Sequence, residues 1–149
     1  MDIAIVGLGK MGLNMALRLL RGGHQVVVHN RSAEPVQIAV AEGAVGALSF
    51  GDLAQKLDTP RAVWLMLPAG SVTEEAIHQF ADLLSVGDIL IDGGNSNYKD
   101  TIRRAAFLAD KGIYFVDSGT SGGIWGLAEG YSLMVGGREE AIAALRSAL

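Results

Sequence analysis

Short apolar runs alternate along the chain with longer segments in which apolar residues recur every three or four positions. The short runs are typical of parallel strands buried on both faces, and the longer segments are typical of amphipathic helices. The pattern predicts strands at residues 2–6, 25–29, 62–67, 88–91, 113–116 and 131–135. It predicts helices at residues 11–20, 34–41, 50–56, 72–84, 96–111 and from near Arg138 to the end of the chain.

Strands and helices alternate with short links, and this order predicts one doubly wound, Rossmann-like α/β domain over residues 1–149. We expect a mainly parallel sheet with helices on both faces, and loops at 46–49 and 118–130. Candidate helix N-caps are Ser32, Ser49 and either Ser71 or Thr73. The helix at 96–111 is expected to turn its apolar side chains inward, namely Ile102, Ala105, Ala106 and Ala109. Its charged side chains are expected to face mostly outward, namely Lys99, Arg103, Arg104 and Lys111.

Three glycines follow the first strand with the spacing G-x-G-x-x-G and open the first helix. Gly7 permits the tight turn, Gly9 lets the backbone approach a pyrophosphate, and Gly12 allows close packing of helix on strand. Amides at the helix start and the positive end of the helix dipole attract phosphate without a basic side chain. The motif also occurs in simple turns, but between a strand and a helix it predicts a dinucleotide site made of Gly7, Leu8, Gly9, Lys10, Met11 and Gly12.

The residues about twenty positions further along decide which dinucleotide fits, because they meet the adenosine ribose in such folds. They are Asn30, Arg31 and Ser32, none of which is a carboxylate that would bond a ribose diol or repel a phosphate. Arg31 offers a permanently charged, planar fork for phosphate oxygens. We therefore favour NADP over NAD, with the alternative that Arg31 is an ordinary exposed loop cation.

Further candidate loops follow the other strands, since ligands of doubly wound sheets lie outside the carboxyl ends of the strands. Residues 92–96 form either a turn with a helix cap or a set of small residues beside a nicotinamide, with Asn95 able to bond a hydroxyl. The segment Ser121, Gly122 and Gly123 is either flexible loop or a site for a carboxylate or sugar. Asp92 and Asp117 form a conceivable acid/base pair, although carboxylates at strand ends more often bond loop amides.

Composition narrows the function classes. Half of the 149 residues are apolar, and the net charge of −4 argues against general nucleic-acid binding. The sequence has no cysteine and three widely separated histidines, which argues against a metal site. No apolar run is long enough for a membrane helix and no secretory leader precedes the first strand, so a cytoplasmic location is the expectation.

Five segments resemble the decarboxylating 6-phosphogluconate dehydrogenase family over nearly the whole chain, namely residues 7–16, 30–32, 92–96, 121–123 and 132–137. All β-hydroxyacid dehydrogenases share the glycine motif, but Gly-Gly-Asn-Ser at 93–96 separates this family from 3-hydroxyisobutyrate dehydrogenases. Trp125-Gly126 and residues 67–70 are similar to the shorter bacterial branch of the family. The resemblance implies oxidation of 6-phosphogluconate by hydride transfer to a nicotinamide, loss of CO2 and formation of ribulose 5-phosphate, without a metal.

The resemblance also assigns roles to individual residues. It places the pyrophosphate at residues 7–12, the adenosine ribose at 30–32 and the nicotinamide beside Leu67, Pro68 and Ala69. It implies that Asn95 touches cofactor and substrate, and that Ser121, Gly122 and Gly123 bind the substrate. The short branch often has aspartate at the position of Asn30 and uses NAD, so this difference favours NADP, whereas Pro68 stands where the longer enzymes have lysine.

The general base and acid of the family lie in a helical domain beyond residue 149. The resemblance therefore implies a coenzyme-binding domain with little or no turnover of its own, and a homo-oligomeric full-length protein. Two alternatives stay open. One is a sister β-hydroxyacid dehydrogenase such as 3-hydroxyisobutyrate dehydrogenase, and the other is a nucleotide-binding module without chemistry.

Overall fold

The computed structural model describes the backbone of residues 1–149 and the side chains of all of them except Ile124. Its strands form one seven-stranded sheet with the order β3-β2-β1-β4-β5-β6-β7. The first six strands run parallel and β7 pairs antiparallel with β6. The strands are β1 (Asp2–Val6), β2 (Gln25–His29), β3 (Val45–Gly46), β4 (Ala62–Leu65), β5 (Ile89–Asp92), β6 (Tyr114–Ser121) and β7 (Ser132–Gly136).

Helices cover both faces of this sheet, because successive strand residues point to opposite sides. On one face, Ile3 and Ile5 of β1 belong to the same buried cluster as Met15 and Leu145. On the other face, Ala4 and Val6 join a cluster that includes Phe80. The predicted doubly wound, Rossmann-like α/β fold is confirmed. The helices are α1 (Lys10–Arg21), α2 (Ala33–Ala41), α3 (Phe50–Gln55), α4 (Ser71–Leu83), α5 (Tyr98–Ala109), α6 (Gly126–Glu129) and α7 (Glu139–Leu145), with a 3-10 turn at Gly123–Trp125.

Two segments predicted to be loops contain regular structure. Val45 and Gly46 form the edge strand β3, which is too short for an apolar pattern to reveal it. Strand β6 continues through residues 118–121 because each of them has a partner in β7, and Ser118 and Thr120 alternate inward as buried residues. The extension consists of small polar residues, so it shows no apolar periodicity in the sequence. Pairing between the strands stabilises it instead.

Several helix ends also differ from the prediction. Ser49 caps α3 as expected, accepting a hydrogen bond from the Asp52 amide at 3.1 Å, whereas Ser32 makes no capping bond to α2. Neither Ser71 nor Thr73 caps α4, because Ser71 lies inside the helix and the Thr73 hydroxyl donates to the Pro68 carbonyl at 2.8 Å. Asn97, and not Ser96, caps α5. Helix α7 ends at Leu145, so it does not run to the end of the chain.

The inward and outward faces of α5 are partly reversed from the prediction. Ile102 is 65% exposed, whereas Arg104 is 1% exposed and lies beneath the carboxyl end of β5. The reason is electrostatic, because Arg104 meets the carboxylates of Asp92 and Glu74 there.

None of the helices formed by the described residues is long and apolar enough to cross a membrane.

Candidate dinucleotide site

The turn between β1 and α1 depends on two of its three glycines for packing. Gly7 has a φ of +91°, and its amide donates to the His29 carbonyl at 2.9 Å. A Cβ on Gly7 would lie 2.4 Å from the Met66 carbonyl oxygen, and a Cβ on Gly12 would lie 2.0 Å from the Gly7 carbonyl oxygen. A Cβ on Gly9 would meet nothing within 4 Å. The middle glycine therefore leaves the space in front of the backbone open, as a bound pyrophosphate requires.

The start of α1 presents amides that no described side chain caps. Gly9 occupies the N-cap position, and its carbonyl accepts from the Leu13 amide at 2.9 Å. The Leu8 amide donates to Asn30 Oδ1 at 2.9 Å, and Asn30 Nδ2 donates to the Ser32 carbonyl at 3.1 Å. Asn30 thus ties the glycine turn to the loop after β2, and the helix dipole points at a site suited to an anion.

A cleft of about 670 Å³ extends from the glycine turn across the carboxyl ends of β1, β2 and β4. It brings together three of the predicted segments, the glycine turn, the loop after β2 and the loop after β4. The residues that α3 and α4 contribute to its far wall were not among the predicted site residues. The lining residues are Val6, Gly7, Gly9, His29, Asn30, Arg31, Phe50, Met66, Leu67, Pro68, Val72, Glu75, Ala76 and Gln79. Within these three segments, the predicted residues outside the lining are Leu8, Lys10, Met11, Gly12, Ser32 and Ala69, and the predicted residues Asn95, Ser121, Gly122 and Gly123 lie elsewhere.

The far wall of the cleft comes from α3 and α4. Phe50 packs edge-on against the His29 ring, with ring centroids 5.2 Å apart, and His29 Nδ1 lies 2.9 Å from the Ala47 carbonyl oxygen. Glu75 and Gln79 lie one helical turn apart on α4. Their spacing is an ordinary helical pattern, so only the packing of α4 beside β4 identifies them as part of the cleft.

A second set of predicted residues lies at the carboxyl end of β5. Asp92 is fully buried and accepts hydrogen bonds from the Gly94 amide at 2.9 Å and from the Ser96 hydroxyl at 2.6 Å. Between these two contacts, Asn95 adopts a φ of +52°, and its Oδ1 lies 3.4 Å from the Thr120 amide. The turn therefore presents Asn95 beside the end of β6.

Arg104 joins this turn to α4. Its Nη1 donates to Asp92 Oδ2 at 3.2 Å and to the Ser96 hydroxyl at 3.1 Å, and its Nε donates to Glu74 Oε2 at 2.7 Å. Arg103 adds a two-pronged contact to Glu74 at 2.7 and 2.9 Å. The hydrogen bond from Arg103, with that from Arg104, outweighs the cost of burial and lowers the pKa of Glu74 to about 2.

Asp117 lies opposite Asp92 in the register of β5 and β6. Burial, with the charge of Asp92 as a second cause, raises the pKa of Asp117. The oxygens of Asp92 are already engaged by the Gly94 amide, the Ser96 hydroxyl and Arg104. This arrangement favours the loop-bonding role for Asp92 over a part in an acid/base pair.

The segment 121–123 lies at the end of β6 and is exposed to solvent. Ser121 is the last residue of the strand, and Gly122 and Gly123 have φ values of +142° and +49°. Trp125, in the 3-10 turn that follows, is 69% exposed. The segment lies outside the lining of the 670 Å³ cleft, and Asn95 connects it to the rest of the site through Thr120.

Among the described residues, no three His, Asp or Glu side chains form a group that could hold a metal ion.

The strand order, the glycine turn at its crossing point and the uncapped start of α1 define a dinucleotide-binding α/β domain. The family model described as the NAD binding domain of 6-phosphogluconate dehydrogenase matches residues 2–149, and the chain belongs to this family. The resemblance inferred from the motifs is thereby confirmed.

Curated relatives carry the same family name. The chain is 47% identical over 145 residues to the decarboxylating 6-phosphogluconate dehydrogenase of Haemophilus ducreyi, covering 94% of this chain and 30% of that protein. It is 44% identical over 144 residues to the NADP(+)-dependent decarboxylating enzyme of Bacillus subtilis, covering 94% of this chain and 31% of that protein. The chain thus spans about 30% of the length of these relatives.

Solved structures of two related enzymes share the fold. Plasmodium falciparum 6-phosphogluconate dehydrogenase, described in apo form and in complexes with its cofactor NADP+ and its substrate, matches with a TM-score of 0.92 at 32% identity, over 100% of this chain and 33% of that one. Mycobacterium tuberculosis 3-hydroxyisobutyrate dehydrogenase matches with a TM-score of 0.90 at 28% identity, over 99% of this chain and 50% of that one. The fold is common to both enzymes, and the higher identities are to 6-phosphogluconate dehydrogenases.

Proposed function

We propose that this chain is the coenzyme-binding part of a decarboxylating 6-phosphogluconate dehydrogenase and that it binds NADP. The observation that carries the proposal is the open face of Gly9 at the uncapped start of α1, continuous with a cleft that ends at Arg31. Bound NADP would accept a hydride from the 3-hydroxyl carbon of 6-phosphogluconate, and loss of CO2 would then give ribulose 5-phosphate.

Each part of the site has a distinct task in this proposal. The amides of the glycine turn and α1, at Gly7, Leu8, Gly9, Lys10, Met11 and Gly12, hold the pyrophosphate. Asn30, Arg31 and Ser32 hold the adenosine end, and Leu67, Pro68 and Ala69 flank the nicotinamide. Asn95 contacts both cofactor and substrate, while Ser121, Gly122 and Gly123 bind the substrate. Asn95 fits its task because its amide is held between the two regions by the turn at Asp92 and the contact to Thr120.

NADP is preferred to NAD in this proposal because of the charges around the adenosine end of the cleft. Arg31 lies at its rim and supplies the only cation among the lining residues, which pairs with a 2′-phosphate. The carboxylate of Glu75 lies on the α4 wall and not in the loop after β2, where it would take the ribose hydroxyls. The Bacillus subtilis relative is named as NADP(+)-dependent, in agreement with this preference.

Titration of NADP and NAD into the wild-type chain and into Arg31→Ala tests the cofactor assignment. Loss of the guanidinium should weaken NADP binding by about tenfold or more, the equivalent of one charge-assisted hydrogen bond, and should leave NAD binding nearly unchanged. Arg21→Ala, which removes an exposed arginine outside the cleft, is the matched control. Equal losses for both cofactors would overturn the role of Arg31, and a wild-type chain that binds neither would overturn the proposed function.

The substrate assignment has its own test. Amide resonances of Asn95 and residues 121–123 should shift when 6-phosphogluconate is added to the chain saturated with NADP, and should shift less with 3-hydroxyisobutyrate. A response confined to 3-hydroxyisobutyrate would instead identify a sister β-hydroxyacid dehydrogenase.

A further inference from the structure

The buried guanidinium of Arg104 links the two loops that flank the proposed nicotinamide position. From α5 it donates to Asp92 and Ser96, which belong to the turn after β5. Through Nε it also donates to Glu74, in the first turn of α4, directly after the loop that follows β4. Nη2 points at the Gly70 carbonyl at 3.5 Å. One side chain therefore contacts both loops.

Stability alone is a weak reason for this arrangement. Taking the cation of Arg104 and the carboxylate of Asp92 out of water is costly, and the attraction between them repays that cost only when the geometry is nearly complete. Leu108, one turn further along α5, is fully buried without any polar partner, so an apolar residue can fill this side of the helix. What the guanidinium adds is direction, because its donors lie in a fixed plane.

On the side of β5, the contact determines the conformation of Asn95. The Arg104 guanidinium holds Asp92 Oδ2 and the Ser96 hydroxyl together, and Asp92 Oδ1 holds the Gly94 amide. Asn95 lies between these anchors with a φ of +52°. Asparagine is among the few residues other than glycine that adopt this conformation, and the anchors on either side hold Asn95 in it.

On the side of β4, the contact determines where the first turn of α4 lies. Thr73 is fully buried, and its hydroxyl donates to the Pro68 carbonyl at 2.8 Å, so the loop after β4 moves with that turn. A Cβ on Gly94 would lie 2.6 Å from the Leu67 carbonyl oxygen, which shows that the two loops already touch. A shift of either loop would therefore change how the two loops pack and the surface that they form together.

We propose that Arg104 is a positioning residue that sets the distance between the loops at 67–70 and 93–96, and with it the place of the nicotinamide ring and the Asn95 amide. The inference rests on the proposed function, because it assumes that a nicotinamide lies against these two loops. Arg104 itself touches neither cofactor nor substrate. Its loss should therefore affect the nicotinamide half of the cofactor and spare the adenosine half.

Binding of NADPH and of adenosine 2′,5′-bisphosphate to Arg104→Lys tests this division. Lysine keeps the charge but has no fork to hold Glu74, Asp92 and Ser96 together. We expect NADPH affinity to fall by about tenfold, as for the loss of one charge-assisted hydrogen bond, and binding of the bisphosphate to stay within about twofold. Nicotinamide fluorescence of the bound NADPH should also lose its enhancement, because the ring is less confined.

Two further variants keep the test decisive. Arg103→Lys is the matched control, because Arg103 contacts the same Glu74 from an exposed position and reaches neither Asp92 nor Ser96. It should leave both affinities unchanged. Ser96→Ala removes the hydroxyl from the Arg104 contact without burying a charge, so it should fold even where Arg104→Lys does not, and should weaken NADPH binding selectively by a few-fold.

The outcomes separate this inference from the proposed function. Equal weakening of both ligands, or no change with either, would overturn the positioning role of Arg104 while leaving NADP binding intact. A wild-type chain that binds neither ligand would overturn the proposed function. In that case amide hydrogen exchange still tests the positioning itself, since the amides of residues 93–96 should exchange faster in Arg104→Lys than in the wild type, and equal rates would refute it.

Discussion

The two regions of the candidate site, at β1 and at β5, are built by different means. On the side of β1 the backbone itself forms the proposed pyrophosphate site, through the amides and the open face of the glycine turn. On the side of β5 the backbone is held in place by side chains, with Asp92, Ser96 and Glu74 arranged around the buried Arg104.

The difference shows how each side responds to change. A site built from the backbone is defined by a few adjacent residues. It tolerates most substitutions of the neighbouring side chains, but it cannot accept a Cβ on a glycine where the chain is closely packed. A site held by side chains depends on residues from three separate elements, α4, β5 and α5. Loss of one of these residues removes the contact that holds its partners in place.

Arg104→Met should have the largest effect. It leaves the fully buried Asp92 without its cation and removes one of the two arginines that pair with Glu74, and such a loss typically costs about 3–5 kcal/mol of unfolding free energy. Denaturant titration measures this cost. Arg103→Met, which removes a 55% exposed partner of the same Glu74, is the control and should cost about 1 kcal/mol or less. Similar values for the two variants would refute the special status of the buried arginine.

Acid should destabilise the fold through Glu74. Its pKa is lowered from 4.5 to about 2, so the carboxylate stabilises the folded state above pH 4.5 and this contribution disappears as the pH falls to about 2. The loss amounts to about 3 kcal/mol at most. The side chains facing Glu74 are the guanidinium groups of Arg103 and Arg104 from α5 and the imidazole of His78 from α4.

Unfolding measured from pH 7 to pH 2 should therefore show a shallower decline in Glu74→Gln than in the wild type. Asp117 acts in the opposite direction, because its raised pKa makes the folded state take up a proton more readily and gain stability as the pH falls. Asp117→Asn should accordingly steepen the decline. Parallel curves for the wild type and Glu74→Gln would show that the ion pairs of Glu74 contribute nothing to stability.

Gly12→Ala and Gly9→Ala should separate packing from binding within the glycine turn. A Cβ on Gly12 would lie 2.0 Å from the Gly7 carbonyl oxygen, so this variant should lose about 1–3 kcal/mol of stability through overpacking. A Cβ on Gly9 meets open space, so Gly9→Ala should unfold like the wild type and lose affinity for NADP. Thermal unfolding and NADP titration of both variants provide the measurement, and equal stability of the two would contradict the assignment.

Most of the fold could be predicted from the sequence because its signals are local. Apolar runs marked six of the seven strands, and the helix after the glycine turn has the periodicity that α1 shows. The prediction missed β3 and the extension of β6, because both consist of residues whose strand conformation depends on pairing with a neighbour. It also missed the 3-10 turn and the four-residue helix α6 within the loop predicted at 118–130.

The site was only partly predictable for a related reason. The glycine turn and Asn95 belong to contiguous motifs, whereas Arg104 was predicted to face solvent because a charge in an amphipathic helix usually does. Its burial depends on two carboxylates 12 and 30 positions away along the chain. Nothing local in the sequence distinguishes it from its neighbour Arg103, which is exposed.

Asn30→Asp should have the smallest effect on folding and is the sharpest test of the backbone side of the cleft. The Leu8 amide can donate to an aspartate oxygen as it does to Asn30 Oδ1, so the turn keeps its anchor and loses only the weaker contact from Nδ2 to Ser32. We expect a stability change within about 1 kcal/mol, the usual range for one exposed hydrogen bond. The new carboxylate, however, stands beside Arg31 at the proposed adenosine end, where it would repel a 2′-phosphate and accept from a ribose hydroxyl. Affinity for NADP should therefore fall by about tenfold while affinity for NAD rises, which paired titrations would measure. A large drop in stability would instead mean that the neutral amide of Asn30 is required to hold the glycine turn. The region at β1 would then depend on a side chain as much as the turn after β5 does.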